Sequence, residues 1–238
     1  MVSMILTDFD GTLFPKNGGK LESGFIEKIK KLTDCGTIFA VNSGRPYGVL
    51  KAMLKEIENR TVFICNDGSQ IMYKNCLLYK CTVETNTARK IFEFAAEKGF
   101  SVFASLRENS LPVTEDVMSN KGLFNEDIYK IVLIKNGVSD MNMRLMAKKA
   151  EESGLRVCFE DDTYMELCNK NADKGKATKY IKKKFSINEN VVSFGDGEND
   201  IVMFDESNRV YVMEYSNGLF YPGAMVIENM QKYITDNF

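Results

Sequence analysis

Hydrophobic positions in this chain fall into short runs, each ending in a polar cluster. Met4, Ile5 and Leu6 are continuously apolar, which predicts a buried strand. Over residues 21–32, Phe25, Ile26, Ile29 and Leu32 share one face at helical spacing, with Ser23 as N-cap and Gly36 as stop. A second apolar run, 37–42, ends at Ser43-Gly44-Arg45-Pro46, and Pro46 suits the first turn of a helix reaching about residue 57. A third run, 62–65, ends at Asn66-Asp67-Gly68. Strand, helix, strand, helix, strand predicts a parallel sheet with right-handed crossovers.

After Gly68 the pattern changes. Residues 71–73 and 77–80 flank Lys74-Asn75-Cys76 as a hairpin. A helix over 87–98, stopped by Gly99, and a strand over 100–104 precede a polar, irregular stretch, 107–127. A strand over 129–134, a helix over 141–153 and strands over 155–160 and 164–168, turning at Asp161-Asp162, complete an α+β unit. From Asn169 the first pattern resumes, with a helix over 174–185, a short strand over 191–194 and the polar run 195–200 opening another helix. A strand over 210–213, a loop over 218–223 and a mixed end segment over 226–234 follow. The expected fold class is α/β: a Rossmann-like, doubly wound parallel sheet over 1–82 and 170–238, with an inserted α+β cap over 83–169.

The polar clusters carry the chemistry. Asp8 and Asp10 follow the first strand one residue apart, so their side chains point the same way. Two carboxylates this close repel unless a cation or a shared proton intervenes, and a hard divalent ion such as Mg²⁺ takes oxygen ligands. Asp-Gly is also a common turn dipeptide, so this pair alone leaves a solvated turn open. Ser43 and Asp196/Asp200 follow two further strands, and Lys174 opens a helix. In a parallel sheet such strand ends share one edge, where ligands bind. Metal ligands, a cation, a hydroxyl and free backbone N–H groups are the parts phosphoryl transfer requires.

Composition narrows this further. The chain has no His, which excludes a Ser-His-Asp or Cys-His triad and any His-ligated metal. A net charge of -2 gives no basic field for nucleic acid, and the lysines at 182–184 fit one solvated helix face. No apolar run approaches a membrane span, and no charged leader precedes the first strand. Six scattered Cys without CxxC spacing argue against a zinc site and for a reducing, cytoplasmic setting.

Asp8-Phe9-Asp10-Gly11-Thr12, Ser43-Gly44-Arg45, Lys174 and the run from Gly195 to Met203 (GDGENDIVM) resemble, in order, the four motifs of the haloacid dehalogenase superfamily of phosphatases. The placement of the insert resembles the Cof-type subfamily with a C2B cap. The resemblance implies that Asp8 is the nucleophile forming an aspartyl-phosphate, and Asp10 the general acid/base, with a carboxyl held above its usual range by Asp8 and limited solvation. It implies Mg²⁺ on Asp8, the Asp10 main-chain carbonyl and Asp196, with Asp200 as a further ligand or a support. Ser43 and Lys174 would hold phosphate, completed by backbone N–H groups near Phe9, Asp10 and Gly44. Arg45, Asn66 and Asn199 match positions near the substrate. Other readings stay open: Ser43 as a helix cap, Asp200 as a helix-dipole partner, Arg45 and Asn66 as loop supports, Asn199 as a structural group.

The expected activity is Mg²⁺-dependent hydrolysis of a small phosphorylated metabolite, best guessed as a sugar phosphate, by a monomer or weak homodimer. Specificity is expected from the cap, with residues 107–127 and the hairpin near Asp161 facing the pocket. A phosphomutase of the same superfamily and a metabolite-binding regulator are the rivals.

Overall fold

The computed structural model of the chain describes residues 2–15, 19–119, 122–135, 137–159, 163–216 and 221–238. The first elements are β1 (Met4–Thr7), α1 (Ser23–Asp34), β2 (Ile38–Asn42), α2 (Tyr47–Met53), β3 (Thr61–Cys65), β4 (Gln70–Tyr73) and β5 (Cys76–Lys80). Next come α3 (Thr85–Glu97), β6 (Ser101–Ser105), β7 (Ser110–Pro112), α4 (Glu115–Ser119), β8 (Lys130–Ile134), α5 (Asp140–Glu152), β9 (Leu155–Phe159) and β10 (Tyr164–Asn169). The chain closes with α6 (Lys174–Lys184), β11 (Val191–Gly195), α7 (Ile201–Phe204), β12 (Arg209–Met213), β13 (Met225–Ile227) and α8 (Met230–Asn237).

Eight strands form one sheet in the order β13-β12-β11-β1-β2-β3-β4-β5. Pairing is parallel from β13 to β3 and antiparallel through β4 and β5 at one edge. The central strands carry apolar residues on both faces because both faces are covered. Met4 and Leu6 pack with Ala177 and Ile181 of α6 and Phe204 of α7, while Ile5, between them, packs with Phe25 of α1 and Ile234 of α8. The same alternation holds in β3, where Val62 and Ile64 face one layer and Phe63 and Cys65 the other. β1 lies between β2 and β11, so the chain reverses direction across the sheet at β1. That is the switch point where open α/β sheets bind ligands.

The second sheet is antiparallel, in the order β7-β6-β8-β10-β9. Its Val102, Ala104, Ile131, Leu133, Leu155, Met165 and Leu167 pack with Ala88, Ile91 and Phe92 of α3 and Met146 and Ala150 of α5. The alternate positions face the first sheet's ligand edge. Asn169 Nδ2 donates to the Thr82 carbonyl at 3.0 Å, so the chain enters and leaves this layer side by side.

The fold is the expected one, with local departures. Ser23 does not cap α1; Glu22 stands at the N-cap with no side-chain bond, and its N–H donates instead to Gln231 Oε1 of α8 at 2.8 Å. The second helix stops at Met53, short of residue 57. The stretch 107–127 is not wholly irregular: it holds β7 and α4. β7 is an edge strand, where Pro112 is tolerated because the N–H it lacks would face solvent. The end segment resolves into β13 and α8. The Asp161-Asp162 turn, Glu160 and residues 218–220 of the 218–223 loop lie outside the described residues.

Candidate active site

Three neighbouring strand ends supply the site. β1 runs into Asp8, whose N–H continues the ladder to the Phe194 carbonyl at 2.9 Å. The chain then turns at Gly11, with φ of 88°, a left-handed conformation that favours glycine. A Cβ there would run into the Asp196 carboxylate, so the glycine also makes room for the next strand's acid. Tyr215 Oη donates to the Gly11 carbonyl at 2.6 Å, and Thr12 Oγ1 donates to Asp196 Oδ1 at 3.0 Å. β2 delivers Ser43, whose Oγ accepts from the Arg45 N–H at 3.2 Å. β11 delivers Asp196.

Lys174, at the start of α6, ties these ends together. Its Nζ donates to Asp8 Oδ1 and to Asp200 Oδ1, both at 2.7 Å, and all three side chains are buried. The other oxygen of Asp200 accepts the N–H groups of Asp196 and Gly197, each at 3.1 Å. Asp200 therefore fixes the β11 loop as well as pairing with the lysine. Lys176, its neighbour in sequence, is exposed and pairs with Asp173. Burial, aided by the Asp200 and Asp196 charges, pushes the Asp8 carboxyl well above its usual range, against the pull of Lys174. Burial also works against the charge on Lys174, but Asp200 and Asp8 outweigh it and hold its pKa high.

Oxygens of Asp8, Asp196 and Asp200 lie within 4.8 Å of one another. Three carboxylates with one ammonium among them leave an excess of negative charge, and an all-oxygen donor set suits a hard cation such as Mg²⁺. The Asp10 carboxylate is not in this cluster. It forms a bidentate pair with Arg45, Nε to Oδ2 and Nη2 to Oδ1, both at 2.7 Å. The Asp10 side chain is 54% exposed, so the limited solvation expected from sequence is absent. The guanidinium of Arg45 lies over the Phe9 ring, 5.5 Å from its centroid.

Asp8, Asp10, Ser43, Gly44, Arg45, Lys174, Asp196 and Asn199 all line one cavity of about 710 Å³ between the two sheets. Asp200 lies behind its wall. Asn66 departs from expectation: it is fully buried and does not line the cavity. Its side chain is taken up by the second sheet, accepting from Ser105 Oγ at 2.7 Å and donating to the Leu106 carbonyl at 3.5 Å. Asn66 and Asp67 both have φ near 50°, a conformation these residue types tolerate better than most. That turn aims Asp67 at Lys130 of β8, which pairs with Asp67 Oδ2 at 2.8 Å and Glu166 Oε1 of β10 at 2.7 Å, all buried. Burial alone would raise the Asp67 carboxyl; the Lys130 and Lys174 charges outweigh it and lower it to about 2.

The opposite wall of the cavity holds residues that the sequence reading did not single out: Ser105, Lys130, Val132, Arg156, Cys158, Phe159 and Glu166. Among the described residues of the stretch 107–127, only Ser110 lines it. The available signal was alternation. Lys130, Arg156 and Glu166 each stand one position from residues that pack on α3 and α5.

A sequence profile of haloacid dehalogenase-like hydrolases matches residues 5–219. The chain belongs to that family. It is a haloacid dehalogenase-like hydrolase whose parallel core carries an inserted antiparallel sheet. A phosphoglycolate phosphatase of Thermoplasma volcanium is 25% identical, over 86% of this chain and 82% of its own. Among solved structures, TM0651 of Thermotoga maritima superposes with a TM-score of 0.82 at 19% identity, covering 100% of this chain and 98% of that one. The subclass IIB sugar phosphatase BT4131 superposes with a TM-score of 0.75 at 18% identity, over 97% and 94%. These likenesses in structure concern the fold.

Proposed function

We propose that this member of the family is a Mg²⁺-dependent phosphomonoesterase that works through an aspartyl-phosphate on Asp8. The observation that carries the reading is the convergence of Asp8, Asp10 and the Lys174–Asp200 pair on one cavity at the switch point of the sheet. Asp8 Oδ attacks phosphorus, the bond from phosphorus to the ester oxygen breaks, and the leaving alkoxide takes a proton from Asp10. Asp10, now a carboxylate, takes a proton from water, whose oxygen attacks the same phosphorus. The bond to Asp8 breaks, and inorganic phosphate leaves.

Lys174 and Ser43 hold the non-bridging oxygens. The Phe9, Asp10 and Gly44 N–H groups, which donate to no acceptor among the described residues, add further donors. Asp8, Asp196 and the Asp10 carbonyl would hold the metal, and Asp200 positions Asp196 and Lys174. Bound there, Mg²⁺ would offset the repulsion between carboxylate and phosphate. Arg45 steadies Asp10.

A sugar phosphate is the first substrate class to test, and sugar is also the class named for BT4131. The Thermoplasma relative is named for a phosphorylated acid, which adds a second class. Six unpaired thiols support a cytoplasmic setting, and no helix among the described residues is long and apolar enough to cross a membrane. The test is phosphate release from a panel of esters, with Mg²⁺, with EDTA, and with Asp8→Asn. Metal-dependent release that disappears in Asp8→Asn is the expected result. Transfer of the phosphoryl group back to a sugar, with none released to water, would instead mark a mutase.

A further inference from the structure

We propose that the cap wall of the cavity is a second anion subsite built on Arg156, selecting phosphate esters that also carry a carboxylate or another phosphoryl group. The inference rests on the phosphatase reading for the position of the first phosphate. It starts from the register of the cap sheet. Ser105 pairs with Lys130, Lys130 with Cys168, and Cys168 with Arg156, so these four form one row across β6, β8, β10 and β9. Lys130, second in the row, reaches the core, where a Cβ on Gly44 would sit 3.1 Å from its Nζ. Arg156 stands two strands further along, about 10 Å by the ordinary strand spacing. The row therefore leads from the phosphate cradle to the far side of the cavity, a distance suited to the two ends of a small metabolite.

The two cations of this row differ in what they have left to offer. Lys130 is held between Asp67 and Glu166. Arg156 has no carboxylate at ion-pair distance among the described residues. One of its terminal nitrogens donates to Cys158 Sγ, and its Nε is buried with no acceptor. A buried guanidinium donor without a partner is unfavourable and rare. Burial opposes its charge, but Cys168, Cys158, Asp67 and Asp173 hold its pKa up, so it remains a cation. A planar guanidinium facing a cavity with donors to spare matches carboxylate or phosphate oxygens in paired fashion. The substrate supplies the acceptor for the other terminal nitrogen, which donates to none among the described residues.

The experiment uses ester pairs differing in one anionic group: phosphoglycerate against glycerol phosphate, and a hexose bisphosphate against a hexose monophosphate. The protein is expected to show a higher kcat/KM for the two-anion member of at least one pair. The first pair reads a carboxylate and the second a further phosphoryl group. Arg156→Gln is expected to lower that preference by about tenfold or more, the value of hydrogen bonds to a charged group. A preference absent from both pairs, or unchanged in Arg156→Gln, overturns the subsite. Should Arg156→Gln fail to fold, Arg156→Lys keeps the charge without the fork, and its preference is expected to fall below that of the wild type.

Calorimetric titration of the same pairs into Asp8→Asn separates this inference from the reading on which it rests. If no ester is turned over, tighter binding of the two-anion member that is lost in Asp8→Asn/Arg156→Gln still upholds the subsite. Equal binding of both members overturns it.

Discussion

On the core wall of the cavity, the charged side chains leave loops and helix starts just beyond buried strands. On the cap wall they stand inside strands, at alternate positions. The core groups interlock: Lys174 holds Asp8 and Asp200, Asp200 holds the Asp196 and Gly197 amides, and Thr12 holds Asp196. Shifting one of them disturbs the others. The cap groups sit on a grid set by pleat and strand spacing, and the hydrophobic side of that grid is separate. A cap residue can therefore change without repacking α3 or α5. A fixed chemistry facing a variable recognition surface follows from these two modes of construction.

The largest effect that would sharpen the contrast is on the core side. Asp8→Asn is expected to lower phosphate release at least about a thousandfold, because removing a nucleophile removes the covalent path. Near-normal release in that variant would break the assignment of chemistry to this wall. Next come the two buried lysines. Removing one partner of a buried pair costs about 3–5 kcal/mol, so Lys174→Met and Lys130→Met should each lower unfolding stability by that order. Added Mg²⁺ should restore part of the loss in Lys174→Met, where carboxylates are left to bind it, and little in Lys130→Met. Urea unfolding with and without Mg²⁺ reads the difference, and an equal response would erase the distinction between the walls.

A smaller effect tests the tie between them. Asp67 has a depressed carboxyl, so its contribution is present above the unfolded value near 4 and is lost as pH falls toward about 2. The stability gap between wild type and Asp67→Asn should be about 2 kcal/mol at neutral pH and shrink steadily below about pH 4. A gap independent of pH would remove Asp67 from the link. The smallest expected change is Thr12→Val, which loses one hydrogen bond to Asp196 and should slow turnover about fivefold at limiting Mg²⁺.

The core wall was legible in the sequence because each of its groups follows an apolar run. Asp8, Ser43 and Asp196 fall at strand ends, and parallel topology sends those ends to one edge. Lys174 was separable from Lys176 by its position ahead of Gly175. The cap wall was legible only in part: the hairpin near Asp161 was expected to face the pocket, and Cys158 and Phe159 of its first strand and Glu166 of its second line it. Lys130 and Arg156 were not singled out, since alternation shows that a strand has two faces but not which one turns toward the core. Asn66 was misplaced for a related reason: its partners, Ser105 and Leu106, come from the other sheet. Ser23 had the right chemistry for a cap, but Gln231, from the far end of the chain, serves the entry to α1.

The hydrogen bond from Asn169 to the Thr82 carbonyl has a consequence for how such a molecule arises. To the core, everything between those two residues is a loop whose ends already touch. Closure entropy grows only slowly with the length of such a loop, so enlarging or exchanging it asks little of the host. The parallel sheet can keep its register while the inserted layer is exchanged, provided that the contacts of Asp67 and Asn66 with it are replaced too. A lineage could in this way acquire a new recognition face in one recombination event and refine it afterwards by single substitutions.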